Sequence, residues 1–172
     1  DNQVTGPKPL KQLDYIQHGG IYRGVRLIVK PAVHVTDEML SNVPGGGGVF
    51  VTYPRADKQE ALVQVKAEVS NTSSSAQAVT VRHTLAWEGR QVAHAEQQMR
   101  LAAGERRHVT MPLTLRAPHL WSPQAPNLYR LETRVSAAGR EDVVATRIGV
   151  RRLAFEDGRL LLNGEPLRLR GV

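Results

Sequence analysis

The chain has 172 residues, 41% of them hydrophobic, no cysteine, and a formal net charge of +7. That is enough apolar material for one domain with extensions, and it excludes a disulfide framework, a thiolate nucleophile and a cysteine-ligated zinc. No apolar run is long enough to cross a bilayer as a helix and no signal peptide is legible after Asp1, so the chain reads as a piece of a longer protein.

Residues 1–35 hold one segment that reads as a strand, Val25–Lys30, and little else that could build a core. Gly45–Gly48 follows. A phosphate loop would need Gly-Lys-Ser/Thr and a helix next; Val49-Phe50-Val51 stands there instead, so a flexible connection is expected. From this point period two dominates. Val63, Val65, Ala67 and Val69 alternate with Gln64, Lys66 and Glu68. Val79, Val81, His83, Leu85 and Trp87 share one face, with Thr80, Arg82 and Thr84 on the other. Val109, Met111, Leu113 and Leu115 repeat the pattern, and so do Tyr129, Leu131, Thr133 and Val135. These are antiparallel strands with one buried face. Weaker strands are expected at Val49–Tyr53, Gln91–Leu101 and Val143–Val150. Turn signals at Glu88-Gly89, Ala103-Gly104 and Ala138-Gly139 space about seven strands as in an all-β, immunoglobulin-like antiparallel sandwich. Pro112 inside a strand pattern predicts an edge or a bulge there. The closing stretch LLLNGEPLRLRGV predicts a hairpin. Leu160–Leu162 runs in, Asn163-Gly164 turns with two positive φ angles, and Leu167–Arg170 returns.

Few residues invite chemistry. The histidines, His18, His34, His83, His94, His108 and His119, show no metal-ligand spacing. His83, on an apolar face, reads as a hydrogen-bonded core histidine, and His108, beside two arginines, as a solvent-facing one. The adjacent acids Asp37-Glu38, Glu141-Asp142 and Glu156-Asp157 read as turn or surface groups, because neighbours on a strand point to opposite faces. Asn71-Thr72-Ser73 matches a glycosylation acceptor. Trp121, stiffened by Pro123 and Pro126, is a core anchor or a sugar-stacking platform, and its large area favours the anchor. The excess charge sits on polar strand phases such as Arg82, Arg100, Arg130 and Arg134, without a basic helix or interleaved aromatics, which argues against a basic nucleic-acid or protein-interaction domain as a third alternative.

Five short motifs in order carry a resemblance: Gly19-Gly20-Ile21-Tyr22-Arg23, Leu120-Trp121-Ser122-Pro123, Pro126-Asn127-Leu128-Tyr129, Ile148-Gly149-Val150-Arg151, and Leu162-Asn163-Gly164-Glu165-Pro166 with Arg170-Gly171-Val172. The succession resembles glycoside hydrolase family 2, and bacterial β-galactosidases in particular. The resemblance implies that residues 1–35 end a jelly-roll, sugar-binding-type domain. It makes 36–150 the immunoglobulin-like sandwich, and 151–172 the linker and opening hairpin of a catalytic (β/α)₈ barrel. It implies a retaining mechanism with two carboxylates that lie outside these residues, so no catalytic residue is assigned. Asp14 stands where such β-galactosidases reach the galactose site from the first domain, and it is the substrate-binding residue the resemblance implies for the longer protein. Gly24 replaces the aspartate that many members carry after the arginine. The expected role is a non-catalytic, domain-orienting module whose partners are the jelly-roll and barrel of the same chain. No cofactor or metal is expected within it, any metal ion belonging to the barrel. No nucleic acid or membrane is expected as a partner, and exposed edge strands offer a route to a homo-oligomer. The alternatives are a carbohydrate-binding sandwich and a β-glucuronidase or β-mannosidase as the longer protein. A bacterial cytoplasm or periplasm suits the composition equally.

Overall fold

A computed structural model describes residues 24–41, 43 and 46–169. Its strands are β1 (Val33–Val35), β2 (Val49–Ala56), β3 (Glu60–Asn71), β4 (Gln77–Trp87), β5 (Arg90–Leu101), β6 (Arg106–Arg116), β7 (Tyr129–Ala137), β8 (Arg140–Ile148), β9 (Leu153–Glu156), β10 (Arg159–Leu162) and β11 (Glu165–Pro166), with one helical turn, α1 (Glu38–Ser41). All pairings are antiparallel. In the first sheet β3 is central. It pairs with β6 along one side, and with β2 and then β1 along the other. The second sheet runs β5-β4-β7-β8 and packs face to face on the first, giving the immunoglobulin-like sandwich.

The alternation read from the sequence decides which side chains enter the core. Val63, Val65, Val69, Val81, Leu85, Leu131 and Val135 are fully buried. Each such side chain contributes about 1.5–3 kcal/mol when removed from water. The core is divided. One apolar cluster centres on Leu85, Leu113 and Leu131, the other on Val81, Val109 and Val135. Between them lies the cross-strand pair His83 and Thr133, whose Nδ1 and Oγ1 are 3.0 Å apart. Two-residue turns with both central φ positive join β4 to β5 at Glu88-Gly89 and β7 to β8 at Ala138-Gly139. This turn geometry matches the twist of the strands it connects. Pro112 lies on β6, which pairs only with β3 among the described residues, so its missing N–H faces no neighbour.

Three expectations are corrected. Val25–Lys30 forms no strand. It has no strand neighbour among the described residues, and Val25, Leu27 and Val29 are 79%, 88% and 85% exposed. The described glycines of Gly45–Gly48 are not a loose connection: Gly46, Gly47 and Gly48 are buried against α1. A Cβ at Gly47, where φ is +65°, would lie 1.8 Å from Ser41 Oγ. Asp142 is not a surface acid. It is 8% exposed, and its Oδ2 accepts from Val35 N at 2.8 Å and from Lys30 Nζ at 3.2 Å. Lys30 Nζ also donates to Val35 O at 2.7 Å, so one ion pair ties the entering chain and β1 to β8.

The terminal hairpin is longer than expected at its start and shorter at its end. β9, β10 and β11 form a separate three-stranded sheet. A second two-residue turn at Asp157-Gly158 precedes the one at Asn163-Gly164. β11 covers only Glu165–Pro166, although Leu167 N still donates to Leu160 O at 2.8 Å.

Candidate functional site

The motifs that stand out in the sequence meet at one end of the sandwich, where it passes into the terminal hairpin. The approach is organised by the loop between β6 and β7. Tyr129 opens β7, and its hydroxyl accepts from the backbone N–H of His119 at 2.8 Å, tying that loop to the strand ten residues on. This is the tyrosine corner of immunoglobulin-like domains. Trp87 fills the space beside it, its ring stacked on His119 at 4.4 Å and tilted against Tyr129 at 4.9 Å. Asn127 Nδ2 donates to Leu120 O at 2.9 Å, and Ser122 and Ala125 exchange backbone hydrogen bonds, so the loop is held from within.

Trp121 is thereby fixed in place. Its N–H donates to Val150 O at 2.8 Å. Gly149 packs against the root of its indole: a Cβ there would be 2.8 Å from Trp121 Cγ, so close approach, not backbone conformation, demands glycine. On the ring rests Arg151, with Cζ 5.5 Å from the ring centroid and one guanidinium N–H donated to Gly149 O at 3.1 Å. Asn163 closes the joint. Its Nδ2 donates to Trp121 O at 2.9 Å, its Oδ1 accepts from Arg152 N at 2.9 Å, and its backbone N–H donates to Arg152 O at 2.8 Å. Asn163 thus turns the hairpin, at φ 54°, and fastens it to the sandwich with the same side chain. Leu162 is buried beside it. A groove of about 360 Å³ runs between Leu120–Gln124 and Asn163–Leu167, with Lys58 at its rim.

Electrostatically the joint is a set of donors. Tyr53, half-buried on β2 where the register with β3 shifts between Thr52 and Arg55, has its phenol pushed up by burial and drawn down by the Arg151 charge. Among the described residues no group of three or more His, Asp or Glu side chains could hold a metal ion.

The other residues singled out in the sequence are structural. His83 is fully buried and held well below its usual range, at about 4, by desolvation. His34 hydrogen-bonds Pro31 O, His94 meets Gln91, and His108 is 3.6 Å from Glu68 instead of facing water alone. Glu141 is bound by Ser136 and Arg134, and Glu156 by Arg152. Asn71 is fully buried. Its Nδ2 donates to Ser75 O, Leu101 O and Ala102 O, and its Oδ1 accepts from Ser73, so the folded chain offers no glycan acceptor there. Asp14, the sugar-site residue implied by resemblance, and the motif Gly19–Arg23 lie outside the described residues. Trp121 is a half-buried anchor: Gly149 packs against its Cβ, Cγ and Cδ1, and Arg151 lies over the ring. Sequence reasoning treated Asn163 only as a turn former and left Arg151 without a role. The signal for Asn163 was its amide, which a Gly-Gly turn would have made unnecessary.

Comparison with known proteins agrees with this architecture. The family model described as Glycosyl hydrolases family 2 matches residues 48–151. A beta-galactosidase of Klebsiella pneumoniae is 34% identical over 173 residues, covering 95% of this chain and 15% of its own length. A beta-glucuronidase of Formosa agariphila is 26% identical over 157 residues, covering 90% of this chain and 16% of its own. A crystal structure of a family 2 member from Bacteroides cellulosilyticus superposes with a TM-score of 0.71 at 29% identity, covering 81% of this chain and 18% of that one. The chain therefore spans about a sixth of the length of the curated relatives it matches. On the matched domain, the sandwich and the joint at its end, this chain belongs to glycosyl hydrolases family 2.

Proposed function

We propose that this chain is a non-catalytic, domain-orienting module of a family 2 glycosidase that hydrolyses terminal β-galactosides with retention. The observation that carries the reading is the joint itself. Trp121, Gly149 and Asn163, from three separate motifs, are committed to locking the hairpin onto the sandwich. Asp57, Glu105, Glu141, Asp142 and Glu156 are committed to turns and ion pairs and not to a facing pair of the kind that cleaves a glycosidic bond. The orienting surfaces would be met by a sugar-binding domain on the side of Lys30 and a catalytic domain on the side of Asn163.

The choice of β-galactoside is supported by the 34% identity to the Klebsiella enzyme, and the 26% identity to a β-glucuronidase supports a β-glucuronide as the second reading. The test is turnover of aryl β-galactosides and aryl β-glucuronides by the pure 172-residue chain and by a family-length protein that contains it. The chain alone should fold and release no product, while the longer protein should prefer the galactoside. Product release by the chain alone overturns the module reading, and a preference for the glucuronide overturns the substrate.

A further inference from the structure

Arg151 stands apart from the other arginines. Arg82, Arg107, Arg134 and Arg152 each have a glutamate within ion-pair distance. Arg151 is half-buried and meets no carboxylate among the described residues; the other unpaired arginines are exposed. A guanidinium carries five N–H donors. One is given to Gly149 O, and the ring of Trp121 holds the planar group in place. The remaining guanidinium donors meet no acceptor among the described residues. Partial burial weakens the hydration of this charge, and an opposite charge would complete it. The guanidinium fork matches a two-oxygen anion, and its bond to Gly149 O and its place over Trp121 reduce the entropy lost on capture.

We propose that Arg151 is the receptor for a carboxylate side chain on a neighbouring domain of the longer glycosidase, and that this contact sets the orientation of that domain on the joint. The inference rests on the module reading above. A carboxylate is the anion that a protein surface supplies, and the chain's net charge of +7 favours an acidic face opposite it.

Arginine-specific labelling with phenylglyoxal, read by mass spectrometry, tests it in the 172-residue chain and in the family-length protein. Arg100, exposed near the opposite end of β5, is the internal reference. Arg151 should label in the short chain and about tenfold more slowly in the long one, with Arg100 equal in both. Equal labelling of Arg151 in the two proteins overturns the proposal. Arg151→Gln should lower the Tm of the long protein more than that of the short chain, and Arg151→Lys should restore part of the difference. Equal losses in the two proteins would mean that Arg151 only covers Trp121, and would also overturn it. Turnover of aryl β-galactosides reports separately on the module reading, so the two failures are distinguishable.

Discussion

The sandwich and the segments that flank it carry similar apolar residues and treat them in opposite ways. Val63, Val65 and Leu85 are fully buried, while Leu27, Val29 and Phe155 are 88%, 85% and 75% exposed. The difference is not in the side chains. A strand buries one face only if a second layer covers it. β3 and β4 each face an opposing sheet, whereas Leu153 and Phe155, paired with Leu162 and Leu160, lie on a small sheet covered only near Leu162. The flanks are held by a few polar fastenings: Asp142 with Lys30 at one end, Asn163 with Trp121 and Arg152 at the other. The sandwich is stabilised by area and the flanks by named hydrogen bonds.

The contrast is broken most strongly by paired truncations. Leu85→Ala should cost about 2–5 kcal/mol in urea unfolding, because the methylenes are lost and a cavity remains. Phe155→Ala, on the exposed sheet, should change stability by less than about 0.5 kcal/mol. Similar losses in the two variants would end the distinction between the regions.

Acid should expose the polar pair inside the sandwich. The folded chain keeps His83 neutral down to about 4, while the unfolded chain takes up that proton from its ordinary 6.5 downward. The unfolded state then binds more protons in this window, so stability falls as pH drops from about 6.5 to about 4 and levels off below. The span corresponds to roughly 3 kcal/mol. Urea midpoints of the natural chain and of His83→Leu with Thr133→Val should diverge across that window, the double variant having the flatter profile. Parallel profiles would assign the acid sensitivity elsewhere.

The entering segment depends on one carboxylate. Asp142→Ala leaves Lys30 Nζ and Val35 N without their shared acceptor. The expected loss is about 1–3 kcal/mol, with amide exchange of Val35 accelerated while that of Leu131 follows the global stability. Unchanged Val35 protection would show that the ion pair is incidental.

The smallest effect belongs to the hairpin. Asn163→Gly keeps a turn that tolerates positive φ and removes both side-chain bonds, to Trp121 O and from Arg152 N. Global unfolding should shift by only about 1 kcal/mol. Proteolysis within β9–β11 should nevertheless quicken several-fold, because the sheet loses its tether. Unaltered cleavage would mean that Leu162 alone holds it.

Much of this molecule is legible along the chain. Alternation placed β3, β4, β6 and β7 and chose their buried faces residue by residue. Pro112 marked an edge, and Glu88-Gly89, Ala138-Gly139 and Asn163-Gly164 marked turns that do have paired positive φ angles. β1 was missed because three residues cannot display a period, and β9 because LAFE lacks a polar phase of its own. Val25–Lys30 was overread, since an apolar run states only that cover is wanted, not that it is present.

The candidate site was legible only in pieces. Trp121, Gly149, Arg151 and Asn163 were each conspicuous in short motifs, yet nothing in those motifs says that they touch. The sequence by itself determined strand phase, turn positions and family, because side-chain alternation and turn chemistry are local and repeat within a few residues. Tertiary structure alone decided that Asn163 reaches Trp121 O, that Asp142 is buried with Lys30, and that Arg151 lies over an indole with no carboxylate beside it among the described residues. These contacts join residues brought near only after two sheets have packed, and their energies depend on the burial that packing creates.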